Sequence, residues 1–108
     1  MSFQDNFQKI KEICLKKNAG MFGNSRTAYE IELTGEDGGV FYIEFSGGNI
    51  SIEPYDYHDR TAAIKLSAAD FLAAAEGRLD LIAAYMLGRA VIEGDMDGAI
   101  MLKEFLAG

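Results

Sequence analysis

One cysteine, one proline and one histidine among 108 residues remove several kinds of chemistry at the outset. Cys14 alone cannot close an internal disulfide or build a thiolate metal cluster, which fits a reducing compartment. His58 lies between Asp56 and Asp59 in the run YDYHDR. Structural zinc asks for several His or Cys at fixed spacing, so a metal-free polar turn is expected there. Basic residues are scarce too: 10 Lys and Arg against 17 Asp and Glu leave a net charge of −7. That balance argues against nucleic acid, whose affinity comes from clustered cations, and leaves room for at most transient membrane contact. No apolar run approaches the ~20 residues of a spanning helix. The opening MSFQDNFQKIKE lacks the apolar core of a signal peptide, and the cytoplasm is the expected compartment.

Catalytic constellations are equally thin. Ser25, Ser46, Ser51 and Ser67 have no histidine in an evident nucleophile motif, and the glycine pairs lack a phosphate-loop context. Asp95-Met96-Asp97-Gly98 opens like a calcium loop, but the closing bidentate Glu does not follow. Asp95 reads instead as a helix N-cap, with Asp97 in the first turn favouring the positive helix end. No enzymatic activity, cofactor or metal is expected.

The length fits one domain over residues 1–108 with one core, and 49% hydrophobic with 25% charged residues is ordinary for a globular chain. Phe3, Phe7, Ile10 and Cys14 recur at helical spacing and predict a helix over about Gln4 to Lys17, with Cys14 a small buried hydrophobe. Lys9, Lys11, Lys16 and Lys17 read as that helix's solvated face, the last two suiting its negative end. Asn18 to Arg26 is a loop whose Met21 and Phe22 need cover from the core or a pocket mouth.

From Tyr29 the period changes to two. Tyr29, Ile31 and Leu33, then Phe41, Ile43 and Phe45, then Ile50 and Ile52 alternate with polar residues across two glycine turns, and Pro54 ends the third strand. A fourth strand puts Ala62, Ile64 and Leu66 inward. Outward Glu30, Glu32 and Glu44 call for a cation, which Lys65 supplies if strand four lies beside strand one.

Beyond Thr61 the punctuation is local and mechanical. Ser67 with Asp70 starts a helix and Gly77 ends it; Asp80 starts another and Gly88 ends it; Arg89 to Glu93 runs extended; Gly94-Asp95 opens the last helix. The result is an α+β sandwich, a mostly antiparallel sheet with helices on one face. On a helical wheel the last helix is apolar over about 160°, wider than the roughly 100° core packing asks for. Such a surplus is buried in the core, in a partner interface or against a ligand.

In these features the chain resembles the sterol carrier protein family of non-specific lipid-transfer domains. The resemblance rests on the strand Ala62 to Leu66, Ser67, Asp70, Gly77, Leu79-Asp80, Ala83 to Gly88, Ala90 to Ile92, Gly94-Asp95 and Met96 to Leu106, with ELTGEDGGVFYIEFSGG matching the first two strands. It implies a five-stranded sheet in the order 3-2-1-4-5, helices on one face and an apolar tunnel between the layers. By position, the tunnel lining would be Phe71, Leu72, Leu79, Ile82 and Met86, then Ile100, Met101 and Phe105, over a floor of Ile43 and Phe45.

Two functions follow as expectations. The first is non-enzymatic carriage of an apolar ligand: a fatty acid, acyl-CoA, phospholipid or sterol-like molecule. The second is an interaction module, including a homodimer, whose last helix packs on a partner without any ligand.

Overall fold

The computed structural model describes residues 2–56 and 59–108. Helix α1 spans Phe3–Leu15 and begins at a capping box: Asp5 N–H donates to the Ser2 hydroxyl, and Ser2 N–H to the Asp5 carboxylate. After a short 3-10 turn at Gly20–Phe22 come strands β1 (Thr27–Thr34), β2 (Gly39–Ser46), β3 (Asn49–Glu53) and β4 (Ala62–Ser67). Helices α2 (Ala68–Ala75) and α3 (Leu81–Met86), strand β5 (Val91–Gly94) and helix α4 (Met96–Ala107) complete the chain. Ser67, Asp80 and Asp95 cap α2, α3 and α4 through their side chains, as their positions in the sequence predict.

The sheet order is β3-β2-β1-β4-β5. Pairs β1–β2, β2–β3 and β4–β5 are antiparallel; β1–β4 is parallel. Glu32 faces Lys65 in that parallel register, and the two side chains approach to 3.7 Å. Arg60 meets Glu30 at 3.3 Å and Arg26 meets Glu44 at 3.1 Å. Such partly exposed pairs add little stability; their effect is to relieve repulsion among the carboxylates of the wet face.

Two boundaries differ from the sequence reading. α1 ends at Leu15, leaving Lys16 as its C-cap and Lys17 beyond it. The fifth strand starts at Val91 rather than Arg89, because the Ala84 carbonyl at the end of α3 takes the N–H groups of Arg89 and Ala90, at 2.8 and 3.3 Å. Those amides are spent on the helix and cannot join a ladder.

Side chains of the inner sheet face meet the helices in one core with two aromatic clusters, one at each end of β2. Phe41 takes Phe7 edge-on at 5.4 Å and Phe71 at 5.7 Å. Phe45 stacks on Phe22 at 3.7 Å between centroids and meets Phe105 at 4.9 Å and Tyr29 at 6.1 Å. The buried Tyr29 hydroxyl donates to the Gly98 carbonyl at 2.6 Å, fixing the first turn of α4 to the central strand. Burial, with Asp95 nearby, pushes that phenol above its ordinary range, so it stays protonated and remains a donor.

Phe22, a loop residue, is thus part of the core. Phe22→Ala is expected to lower the unfolding free energy by about 3–5 kcal/mol, read from urea denaturation midpoints. A loss under about 1 kcal/mol would mean that the ring contributes no more than a surface side chain.

Candidate functional site

The ten residues expected to line a tunnel fall into three groups. Ile43, Phe45, Phe71 and Phe105 are buried between sheet and helices, where alternation on β2 and helical spacing on α2 and α4 direct them. Leu72, Leu79 and Met101 are half-buried and packed against the core margin, and Ile82 is half-buried. Met86 and Ile100 stand at the surface, 78% and 38% exposed, with Leu87 beside Met86 at 74%. Among the interior members Phe45 meets Phe105 and is also flanked by Phe22 and Tyr29, while Phe71 meets Phe41.

The largest of the described concavities opens beside them. A cleft of about 850 Å³ runs between α1 and the end of α4, lined by Lys9, Glu12, Ile13, Lys16 and Lys17 of the first helix and its exit. Asn18 and Met21 form one rim, Glu76, Glu104 and Gly108 the other, and Phe105 reaches it from the core. Its lining combines apolar Ile13, Met21 and Phe105 with side chains of both signs of charge.

Local physics explains the shape. The Lys17 ammonium donates to the Leu106 carbonyl at 2.9 Å, neutralising the free carbonyl end of α4 and tying it to the exit of α1. Glu76 is hydrogen-bonded by Arg78, which holds its carboxyl below the usual range, so it stays ionised across the cleft from Lys9. Among the described residues Lys16 makes no ion pair. The gathering of Lys9, Lys16 and Lys17 at one mouth was hidden in the sequence, where they read as a solvated face. The available signal was their spacing of seven and eight residues, which returns to one side of a helix after two turns.

Reactive groups are few. Cys14 is buried, and desolvation pushes its thiol up to about 12, so it is not a nucleophile near neutrality. Among the described residues no group of three or more His, Cys, Asp or Glu could hold a metal ion. His58 lies outside the described residues. Among the described residues, too, no helix is long and apolar enough to cross a membrane.

Comparison with known proteins places this arrangement. The family model described as SCP-2 sterol transfer matches residues 7–107. Hydroxysteroid dehydrogenase-like protein 2 of Bos taurus is 35% identical over 85 residues, covering 76% of this chain and 20% of that protein. Its Homo sapiens counterpart is 33% identical over the same shares. The chain therefore spans about a fifth of the length of these curated relatives. Among solved structures, palmitated SCP2L2 from Aedes aegypti has a TM-score of 0.71 at 17% identity, covering 100% of this chain and 96% of that one. The sec-alkylsulfatase Pisa1 from Pseudomonas sp. has a TM-score of 0.74 at 12% identity, covering 89% of this chain and 15% of that one. At such identities the structural likeness concerns the fold.

The buried thiol gives a measurable consequence. Its pKa rises from 9.0 unfolded to about 12 folded, so the unfolded state loses its proton first as pH rises. The stability tied to Cys14 is complete below pH 9.0 and is lost as pH climbs toward about 12, whereas Cys14→Ala should lack that alkaline decline. A thiol reagent at pH 8 should label the native protein at least about a hundredfold more slowly than the urea-unfolded chain; equal rates would contradict the burial.

Proposed function

This chain belongs to the SCP-2 sterol transfer family, and on that premise we propose that it binds and carries an apolar ligand between its sheet and helices without acting on it chemically. The observation that carries the proposal is the double position of Phe105, which both packs against Phe45 inside and lines the α1–α4 cleft outside. A chain entering over Ile13 and Met21 meets that ring first, and moving it leads directly to the inner face of β2.

The magnitudes favour such an entry. Separating an aromatic pair forfeits about 0.5–1.5 kcal/mol beyond its area. Each methylene buried returns about 0.8 kcal/mol, so an acyl chain of a dozen carbons outweighs the lost ring contacts several-fold. Phe71, Leu72, Leu79, Ile82, Met101, Ile43 and Phe45 then form the wall around the guest, while Met86 and Ile100 join it by repacking of α3 and α4. The rim lysines Lys9 and Lys16 suit a carboxylate or phosphate head, which favours a fatty-acyl class of ligand over an uncharged one.

Native mass spectrometry of the purified protein, and titration of delipidated protein with a fluorescent fatty acid, test the proposal. Met101→Glu should abolish uptake, because it would place a carboxylate against the guest. Lys9→Glu with Lys16→Glu should weaken fatty-acid binding about tenfold, equivalent to about 1.4 kcal/mol, and leave its methyl ester nearly unaffected. Protein that co-purifies with no lipid and ignores the probe would defeat the carrier reading and favour the interaction module.

A further inference from the structure

The sheet has two outer strands, β5 and β3. Next to β5 the chain is tied back to α3, since the Ala84 carbonyl accepts from both Arg89 and Ala90 just before the strand. At β3 no hydrogen bond of that kind is made among the described residues. β3 is the terminal strand, and Asn49–Glu53 contains no Lys, Pro or bulge, the usual devices that blunt an edge.

The register shows which groups are free. Gly47 and Gly48, both at positive φ, form a two-residue hairpin turn, so Ser46 and Asn49 are a hydrogen-bonded pair. Pairing alternates from there: Glu44 with Ser51 and Tyr42 with Glu53 are bonded, whereas Ile50 and Ile52 turn their N–H and C=O groups away from β2. No bond from another described residue reaches those four groups. Beside them on the helix side lie half-buried Ile50 and the 48% exposed Leu15, which sits one helical turn past the Lys11 that approaches Glu53 to 3.7 Å.

We propose that this edge joins two copies of the chain, paired antiparallel about a two-fold axis at Ser51 into a continuous ten-stranded sheet. In this register Ile50 exchanges both main-chain hydrogen bonds with the partner's Ile52, and symmetry doubles them to four. Asn49 lies opposite the partner's Glu53, an amide donor against a carboxylate acceptor, and Ser51 opposite the partner's Ser51. No like charges face each other. Neighbouring two-fold registers are poorer: centring on Ile52 sets Ile50 against the partner's Pro54, which has no N–H, and centring on Ile50 sets Ile52 against the partner's Gly48 in its turn. The strand's own polarity pattern therefore selects a second copy as the occupant and a single register for it.

Ser51→Cys tests the register directly, since directly opposed residues of a non-hydrogen-bonded pair hold their Cβ atoms within disulfide reach. Cys14 is buried and stays out of the reaction. Under mild oxidation S51C should form a covalent dimer at least about tenfold faster than S25C, whose cysteine would sit on an exposed loop away from the edge. Adding Ile50→Pro to S51C should return the rate to the S25C level, because proline removes an outward N–H and no bond within the sheet. An equimolar mixture of N49C and E53C should give the mixed dimer in preference to either self-dimer. Cross-linking of S51C no faster than that of S25C, or unchanged by Ile50→Pro, would overturn the proposal; so would N49C and E53C each preferring itself.

Discussion

Phe45 is held on three sides by aromatic rings, each delivered by a different part of the chain: Phe22 from the loop after α1, Tyr29 from the central strand and Phe105 from the last helix. Those contacts are what make one layer of helices close over one sheet. Phe22 stacks flat on Phe45 and therefore pulls an otherwise polar connection onto the core, which brings Met21 and Asn18 to the cleft rim. Phe105 sets the depth of α4, and the Tyr29 hydroxyl on the Gly98 carbonyl sets its position along the sheet. Remove the ring cluster and neither the cleft nor the seat of α4 has a cause.

α4 is consequently fastened at both ends and greasy between. Tyr29 grips its first turn and Lys17 its last, while the middle carries Met101 and Phe105 toward the interior and Ile100 toward solvent. The Asp95 N–H on the Thr61 carbonyl adds to the hold at its start, and Lys103 meets Asp80 at 3.6 Å midway; the remaining contacts of the helix are hydrophobic and non-directional.

Much of this was legible in the residues. Period-two alternation located β1 to β4, the caps Ser67, Asp80 and Asp95 located three helix starts, and the charge of Lys65 against Glu32 identified the neighbour of β1 before any coordinates. Each of these signals is local or pairwise. The parallel sense of β1–β4 was not legible, since a pair of opposite charges is satisfied in either direction. Nor was the surface position of Met86 and Ile100: when a helix is apolar nearly all round, its sequence does not say which side meets the sheet, and packing of neighbours decides. The cleft was the least visible, because its lysines with Ile13 and Met21 come from one end of the chain and Glu104 and Phe105 from the other, brought together by contacts such as Lys17–Leu106 and Phe22–Phe105.

The parallel pair β1–β4 also bears on how the molecule comes into being. β1 sits at the centre of the sheet, yet one of its two neighbours is encoded more than two dozen residues later, past β2, β3 and their turns. During synthesis the β1–β3 meander therefore leaves the ribosome as a three-stranded sheet with an apolar face and an open flank at β1, waiting for residues Ala62–Ser67. α1 and the turn after it precede the meander in the chain and, in the folded protein, cover its apolar face through Phe7 on Phe41 and Phe22 on Phe45. The apolar face of the meander thus finds its first partners in segments that stand before it in the chain, and the parallel neighbour in one that stands well after it.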